Sequence, residues 1–146
     1  MYARLAVQSR GGQVHPIRWE HSRDSDFSLQ RQRAASQVES AVEEMTAATG
    51  AAPVVISKSL GSLAAPVVAD RGLPAVWFTP LLTDEPTVAA LRRATGPCLL
   101  VGGTADRFWD GQAARSLPVE VVEVDGAITG CSCRVGLAPR RPCLAR

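Results

Sequence analysis

The chain has 146 residues, 46% of them hydrophobic, and a net charge of +2. This length is typical of one domain with a substantial core, the apolar content excludes disorder over most of the chain, and so small a charge argues against a nucleic-acid partner. Neither a membrane span of about 18 apolar residues nor a secretory signal is present, because Arg4 and Gln8 interrupt the apolar start, so a cytoplasmic protein is expected.

The first fifty residues predict two helices and one strand. The first helix covers residues 1–10 and ends at a Gly-Gly pair. Val14–Trp19 alternates as a strand does, although Pro16 favours an edge strand or an irregular start. After a charged loop, apolar residues at helical spacing predict a long helix over Ser28–Thr49 that Gly50 ends.

The rest of the body alternates short apolar strands with helices. The alternation predicts an α/β fold, a mostly parallel sheet with helices on both faces. The strands are predicted at residues 53–57, 74–79, 98–102 and 119–124, and the helices at residues 60–70, 87–94 and 110–116.

One segment has the pattern of a catalytic turn. A buried strand runs through Ser57-Lys58-Ser59-Leu60-Gly61 directly into a predicted helix. In a nucleophile elbow the serine lies on a strained strand-to-helix turn, and the residues two before and two after it must be small. Ser57, where glycine is usual, and Gly61 are small, so Ser59 is the candidate nucleophile and the Leu60 N–H the candidate oxyanion donor. The alternative is an ordinary turn in which a serine caps the helix.

A candidate acidic partner lies in the loop after the strand at residues 98–102. A triad carboxylate in such a loop orients and charge-balances a histidine. Asp106 and Asp110 compete for this role, and we favour Asp106 because it is nearer the strand end, while Asp110 has the position of a helix N-cap. The neighbouring Gly102-Gly103 pair lacks the spacing of a dinucleotide-binding loop, so no nucleotide cofactor is predicted.

Residues 1–127 resemble the small α/β-hydrolases of dienelactone-hydrolase-like build, particularly bacterial members with a K-S-L-G-S elbow. The resemblance rests on residues 57–62, 74–82 and 99–110. It implies that Ser59 is the nucleophile, that Asp106 is the triad acid, and that a histidine follows the last strand, typically as G-A-D-H-G. It also implies hydrolysis of a carboxylic ester or similar small acyl compound, without a metal or other cofactor.

The sequence departs from this pattern where the histidine is expected. The last predicted strand is followed by Asp125-Gly126-Ala127-Ile128, and no histidine occurs beyond His21. His15 and His21 precede the serine and are better explained as surface or strand residues. A serine hydroxyl without a base is a poor nucleophile, so we predict that this chain is inactive.

A change of reading frame would explain the missing histidine. With GC-rich codons for residues 126–134, restoring one base gives Gly-Ala-Asp-His-Gly-Leu-Phe-Val-Pro, with the histidine at the expected place. We therefore expect a hydrolase domain over residues 1–127 and a disordered, out-of-frame tail over residues 128–146.

Two alternatives remain for the tail. The first is that its cysteines form a disulfide or bind a metal, but a metal site needs four regularly spaced ligands. The second is that the arginine–proline cluster at residues 139–142 contacts nucleic acid, but this cluster lacks the aromatic residues of such a contact. The cysteines are Cys131, Cys133 and Cys143.

The start of the chain also departs from the family. In the family, a strand and an oxyanion-hole loop precede the helix that begins at Met1 in this chain. That strand normally lies in the sheet between the strand containing Ile17 and the strand containing Ile56. We expect either a true start further upstream or a natural remnant. A non-catalytic α/β binding or scaffold module is the alternative function, and the oligomeric state is left open.

Overall fold

The computed structural model describes residues 2–18 and 26–128. None of the helices in these ranges is long and apolar enough to cross a membrane. The helices are α1 (Tyr2–Gln8), α2 (Phe27–Thr49), α3 (Ala65–Asp70), α4 (Glu85–Arg93) and α5 (Gly111–Arg115). A 3-10 helix spans Ser59–Ala64, and the strands are β1 (Val55–Lys58), β2 (Ala75–Phe78), β3 (Cys98–Gly103) and β4 (Glu120–Val124).

The four strands form one sheet in the order β1-β2-β3-β4, and every neighbouring pair is parallel. Lys58 pairs with Phe78, and Phe78 with Val101, so the strands end at a common edge. We call this the carboxyl edge of the sheet. Parallel strands need crossover connections, and helices supply them here. The predicted α/β fold with a parallel sheet is confirmed.

The hydrophobic core lies on one face of the sheet. Trp77 and Leu100 pair across β2 and β3, are 2% and 0% exposed, and pack with residues of α3 and α4. The other face, called here the open face, carries Ile56, Val76, Phe78, Leu99, Val101, Val122 and Val124. None of these seven residues is buried. Within the described residues, helices therefore cover the core face completely, whereas helices on both faces were expected.

Gly102 allows close packing on the core face. A Cβ at this position would lie 2.1 Å from Cδ2 of Trp109, whose Nε1 donates to Oε1 of Glu123 at 2.9 Å. We expect Gly102→Ala to lower the free energy of unfolding by about 1–3 kcal/mol, because a rigid indole must move. Urea denaturation would measure it, and in a Trp109→Ala background the penalty should disappear; a penalty that stays would contradict the steric explanation.

The predicted strand over Val14–Trp19 is wrong for its described part. Residues 12–18 form no regular structure, and Trp19 lies outside the described residues. A cavity of about 540 Å³ lies between residues 13–17 and residues 53–57, with α2 beside it. Residues 13–17 therefore have no adjacent strand to pair with, although Ile17 still packs against the core.

The helix predicted over residues 60–70 forms in two parts, the 3-10 helix and α3. Pro66 lies in the first turn of α3, where its missing N–H is not needed, so it starts the α-helical part and does not kink it. α4 begins at Glu85, before the predicted Thr87, because the Asp84 side chain caps it. Asp110 is the N-cap of α5, as predicted.

Candidate active site

Ser59 lies on the turn between β1 and the 3-10 helix, at the carboxyl edge. Its φ is +50°, in the left-handed region that residues other than glycine rarely adopt. Such a conformation costs about 1–3 kcal/mol and persists only where the surroundings impose it. Ser59 thus has the strained strand-to-helix geometry expected of a nucleophile elbow, and its role as nucleophile stays a prediction.

Leu60 follows at the start of the 3-10 helix. The first N–H groups of a helix have no acceptor within it, so they are free to bind an oxygen atom from outside. The Leu60 side chain is 37% exposed, which places this residue at the surface of the site. Its role as oxyanion donor also stays a prediction.

Thr79 occupies the corresponding position one strand over. It follows Phe78, the partner of Lys58, and it is the second non-glycine residue with positive φ, at +45°, among those described. Its N–H donates to the Val101 carbonyl at 2.7 Å. Its Oγ1 is buried and has no hydrogen-bond partner among the described residues. This turn could not be predicted from the residue type, since β-branched residues disfavour positive φ.

Asp106 lies three residues beyond β3 and is 6% exposed. Its Oδ1 accepts the Phe108 N–H at 2.9 Å, while its Oδ2 is buried and, within residues 2–18 and 26–128, finds no partner. Strands are about 4.8 Å apart, so β3 lies about 10 Å from β1 at the same edge, with β2 between them. That separation leaves room for a further side chain between Ser59 and Asp106.

The segment after β4 is held against the loop that carries Asp106. The Thr104 hydroxyl donates to Oδ1 of Asp125 and accepts the Gly126 N–H, both at 2.9 Å. The Ala105 N–H donates to the Ala127 carbonyl at 3.2 Å. These contacts bring the chain at Ile128 beside the Asp106 loop, and the resemblance expects a histidine at the next residue.

Among residues 2–18 and 26–128, no histidine lies at this edge. His15 Nε2 lies 3.7 Å from Oε2 of Glu44 on α2, its side chain is 42% exposed, and it lines the cavity beside β1. His21 lies outside the described residues, as do the three tail cysteines. Among the residues that are described, no three His, Cys, Asp or Glu side chains are grouped as metal ligands.

A buried hydrogen-bond network supports the Ser59 turn. The Ser62 hydroxyl donates to the Ser59 carbonyl at 2.7 Å and accepts the Leu81 N–H at 2.9 Å. Ser62 is 1% exposed, so its hydroxyl is itself shielded from water. Ser62 could not be singled out from the sequence, because its contact with Leu81 depends on how the crossover folds back.

Asp84 continues this network toward α2. Its carboxylate accepts two bonds from Arg31, each of 2.9 Å. It also accepts the Thr87 N–H at 3.0 Å and the Thr87 hydroxyl at 2.6 Å, and that hydroxyl lies 3.3 Å from the Ser62 carbonyl oxygen. The Asp-Glu-Pro order at the start of α4 indicates an N-cap from sequence alone. The pairing of Asp84 with Arg31 could not be predicted in this way.

Solved structures with known folds resemble this chain. An alpha-beta serine hydrolase homologue from Coxiella burnetii aligns with a TM-score of 0.66 at 15% identity, over 87% of this chain and 65% of that one. The esterase domain of a Rhodothermus marinus protein aligns with a TM-score of 0.50 at 15% identity, over 74% of this chain and 72% of that one.

The chain thus spans less than two thirds of the length of the Coxiella protein. No family model and no curated protein sequence matches it. At 15% identity the two structures establish the fold alone. Together with the parallel sheet, they show that the chain has an α/β-hydrolase-like fold.

Proposed function

We propose that the carboxyl edge is the acyl-transfer site of a serine hydrolase for a carboxylic ester or similar small acyl compound. The observation that carries this is that Ser59, held at φ +50°, follows β1 at the same edge where Asp106 follows β3, with the buried Oδ2 of Asp106 unpartnered among the described residues. Hydrolase structures with the same fold support it.

The chemistry assigns one step to each residue. The Ser59 Oγ attacks the acyl carbon and forms a bond to it, the Leu60 N–H donates to the oxygen that becomes negative, and the alcohol leaves with a proton. Water then attacks the acyl-enzyme and releases the acid. Asp106 holds the imidazole that takes the serine proton, and a buried carboxylate oxygen without a donor suits that task.

No histidine follows β4 in this sequence, so we propose that the chain is inactive. His15 is held near Glu44, and Ile128 occupies the loop beside Asp106. Loss of the triad base costs several orders of magnitude in rate. A protein of the cytoplasm with a small-molecule substrate and no cofactor remains our expectation.

Labelling with a fluorophosphonate probe tests the proposed inactivity. We expect the unaltered chain to be labelled no faster than its Ser59→Ala variant, as judged by mass spectrometry of the modified peptide, because no base takes the serine proton. Circular dichroism of both proteins would show that they are folded. Rapid labelling that Ser59→Ala abolishes would contradict the inactivity.

A non-catalytic binding or scaffold module is the second candidate function. The observation that favours it is Ile128, which is 51% exposed and directly precedes the position where the resemblance expects a triad histidine. A folded chain that Ser59-directed probes never label, even after a histidine is supplied beside Asp106, would support this candidate over a hydrolase.

A further inference from the structure

We propose that Ser62 is a positioning residue, whose hydroxyl holds the Ser59 turn and the Thr79–Leu82 loop in one arrangement. The proposal rests on the acyl-transfer site described above. The buried Ser62 hydroxyl forms a hydrogen bond with each segment: it donates to the Ser59 carbonyl at 2.7 Å and accepts from the Leu81 N–H at 2.9 Å.

The two bonded segments contain the two strained turns. Ser59 and Thr79 are the non-glycine residues with positive φ among those described, and each directly follows a strand of the paired β1 and β2. A left-handed conformation survives only where surrounding contacts enforce it. The Ser62 hydroxyl is a contact common to both turns, so its removal should let both relax.

Ser62 is itself fixed in place. Its carbonyl oxygen lies 3.3 Å from the Thr87 hydroxyl, which is 0% exposed and bonded to Asp84 at 2.6 Å. Asp84 is in turn paired with Arg31 of α2. Hydrogen bonds therefore join the long helix to Asp84 and Asp84 to Thr87 at the start of α4, and the Thr87 hydroxyl lies against the Ser62 carbonyl. A positioning group needs such support, since a mobile hydroxyl would impose no conformation.

A thiol at residue 59 reports the state of the turn without needing a histidine. In a Ser59→Cys chain, the rate of alkylation by iodoacetamide follows the thiolate fraction, and nearby backbone N–H groups favour the thiolate. Peptide mass spectrometry separates this thiol from Cys98, whose pKa is raised by burial, with a hydrogen bond to Trp77 opposing the shift.

Ser62→Ala in the Ser59→Cys chain is the test. We expect the pH of half-maximal alkylation at residue 59 to rise by about one unit, so the rate at pH 7 falls about tenfold. At a pH where the thiol is fully ionised in both chains, the rates should agree within about twofold. A turn that had merely become mobile would change the rate at every pH alike.

Ser116→Ala is the matched control. The Ser116 hydroxyl donates to the carbonyl three residues earlier, in Ala113, at the same 2.7 Å, but it is exposed and lies in the residue that caps α5. Ser116→Ala should leave the pH profile of alkylation at residue 59 unchanged. An unchanged profile in a folded Ser62→Ala chain, or equal shifts in both variants, would overturn the proposal.

Two further experiments test the proposal even where Ser62→Ala does not fold in buffer. If Ser62→Ala is unfolded in buffer, the profile is recorded in sucrose, which favours the folded state. Thr87→Val, which removes the hydroxyl beside the Ser62 carbonyl, should shift the profile in the same direction by less, and no shift there would count against the proposal. Failure of the proposed function appears separately, as absent fluorophosphonate labelling of Ser59 in a chain given a histidine.

Discussion

The double variant Ile128→Asp/Thr129→His is expected to raise the rate of fluorophosphonate labelling of Ser59 by about 10²–10⁴-fold. General-base catalysis contributes an effect of that size. With Gly126, Ala127 and Gly130 already present, the two changes complete the G-A-D-H-G segment. The contacts of Thr104 and Ala105 with residues 125–127 hold its beginning beside the Asp106 loop, and we expect the new imidazole to donate to Oδ2.

Three controls make this result specific. Adding Ser59→Ala should abolish labelling, and adding Asp106→Asn should remove most of the gain because the imidazole then loses its orienting carboxylate. A histidine in the exposed Arg107 position should give no gain. If the double variant folds and its labelling stays at the level of the unaltered chain, the assignment of Asp106 as triad acid is wrong.

The second large effect concerns stability. We expect Asp84→Ala to lower the free energy of unfolding by about 3–5 kcal/mol, because it leaves the part-buried Arg31 without its carboxylate and also removes the N-cap of α4. The Asp84 side chain is 7% exposed, and it accepts bonds from Arg31, from the Thr87 hydroxyl and from the Thr87 N–H. The midpoint of urea denaturation would measure the change.

Asp70→Ala is the matched control for this prediction. Asp70 accepts two bonds from Arg93, at 3.1 and 2.8 Å, but the two side chains are 62% and 46% exposed. Solvent screens such a pair, so its loss should cost at most about 1 kcal/mol. Equal losses in the two variants would show that burial of the Arg31–Asp84 pair is not what makes it matter.

Most of the sheet was predictable because its strands are short apolar runs between turn residues. β1 to β4 lie within a residue or two of their predicted positions. Residues 14–18 show why pattern alone fails: alternation makes a strand possible, but a strand forms only beside a partner, and here a cavity adjoins it. Periodicity contains no information about that neighbour.

The candidate site also contains residues that the sequence pattern indicates and residues that only the folded structure reveals. Ser59, Leu60 and Asp106 could be chosen as candidates because local spacing marks a turn after a strand and a loop after a strand, and their catalytic roles stay predictions. Ser62 and Thr79 were missed, since their significance depends on a contact with Leu81 and on a backbone angle that the residue type disfavours. Side-chain identity predicts candidate chemistry, while the groups that hold it in place are known only after folding.

The open face has a practical consequence for anyone who handles the protein. Ile56, Val122 and Val124 are 41%, 48% and 48% exposed on one continuous surface of the sheet. A dye such as ANS, which fluoresces on contact with apolar surface, should therefore bind the native chain. Bright dye fluorescence would then indicate an intact sheet, and a conventional dye-based melting curve would start high and fall as the protein unfolds.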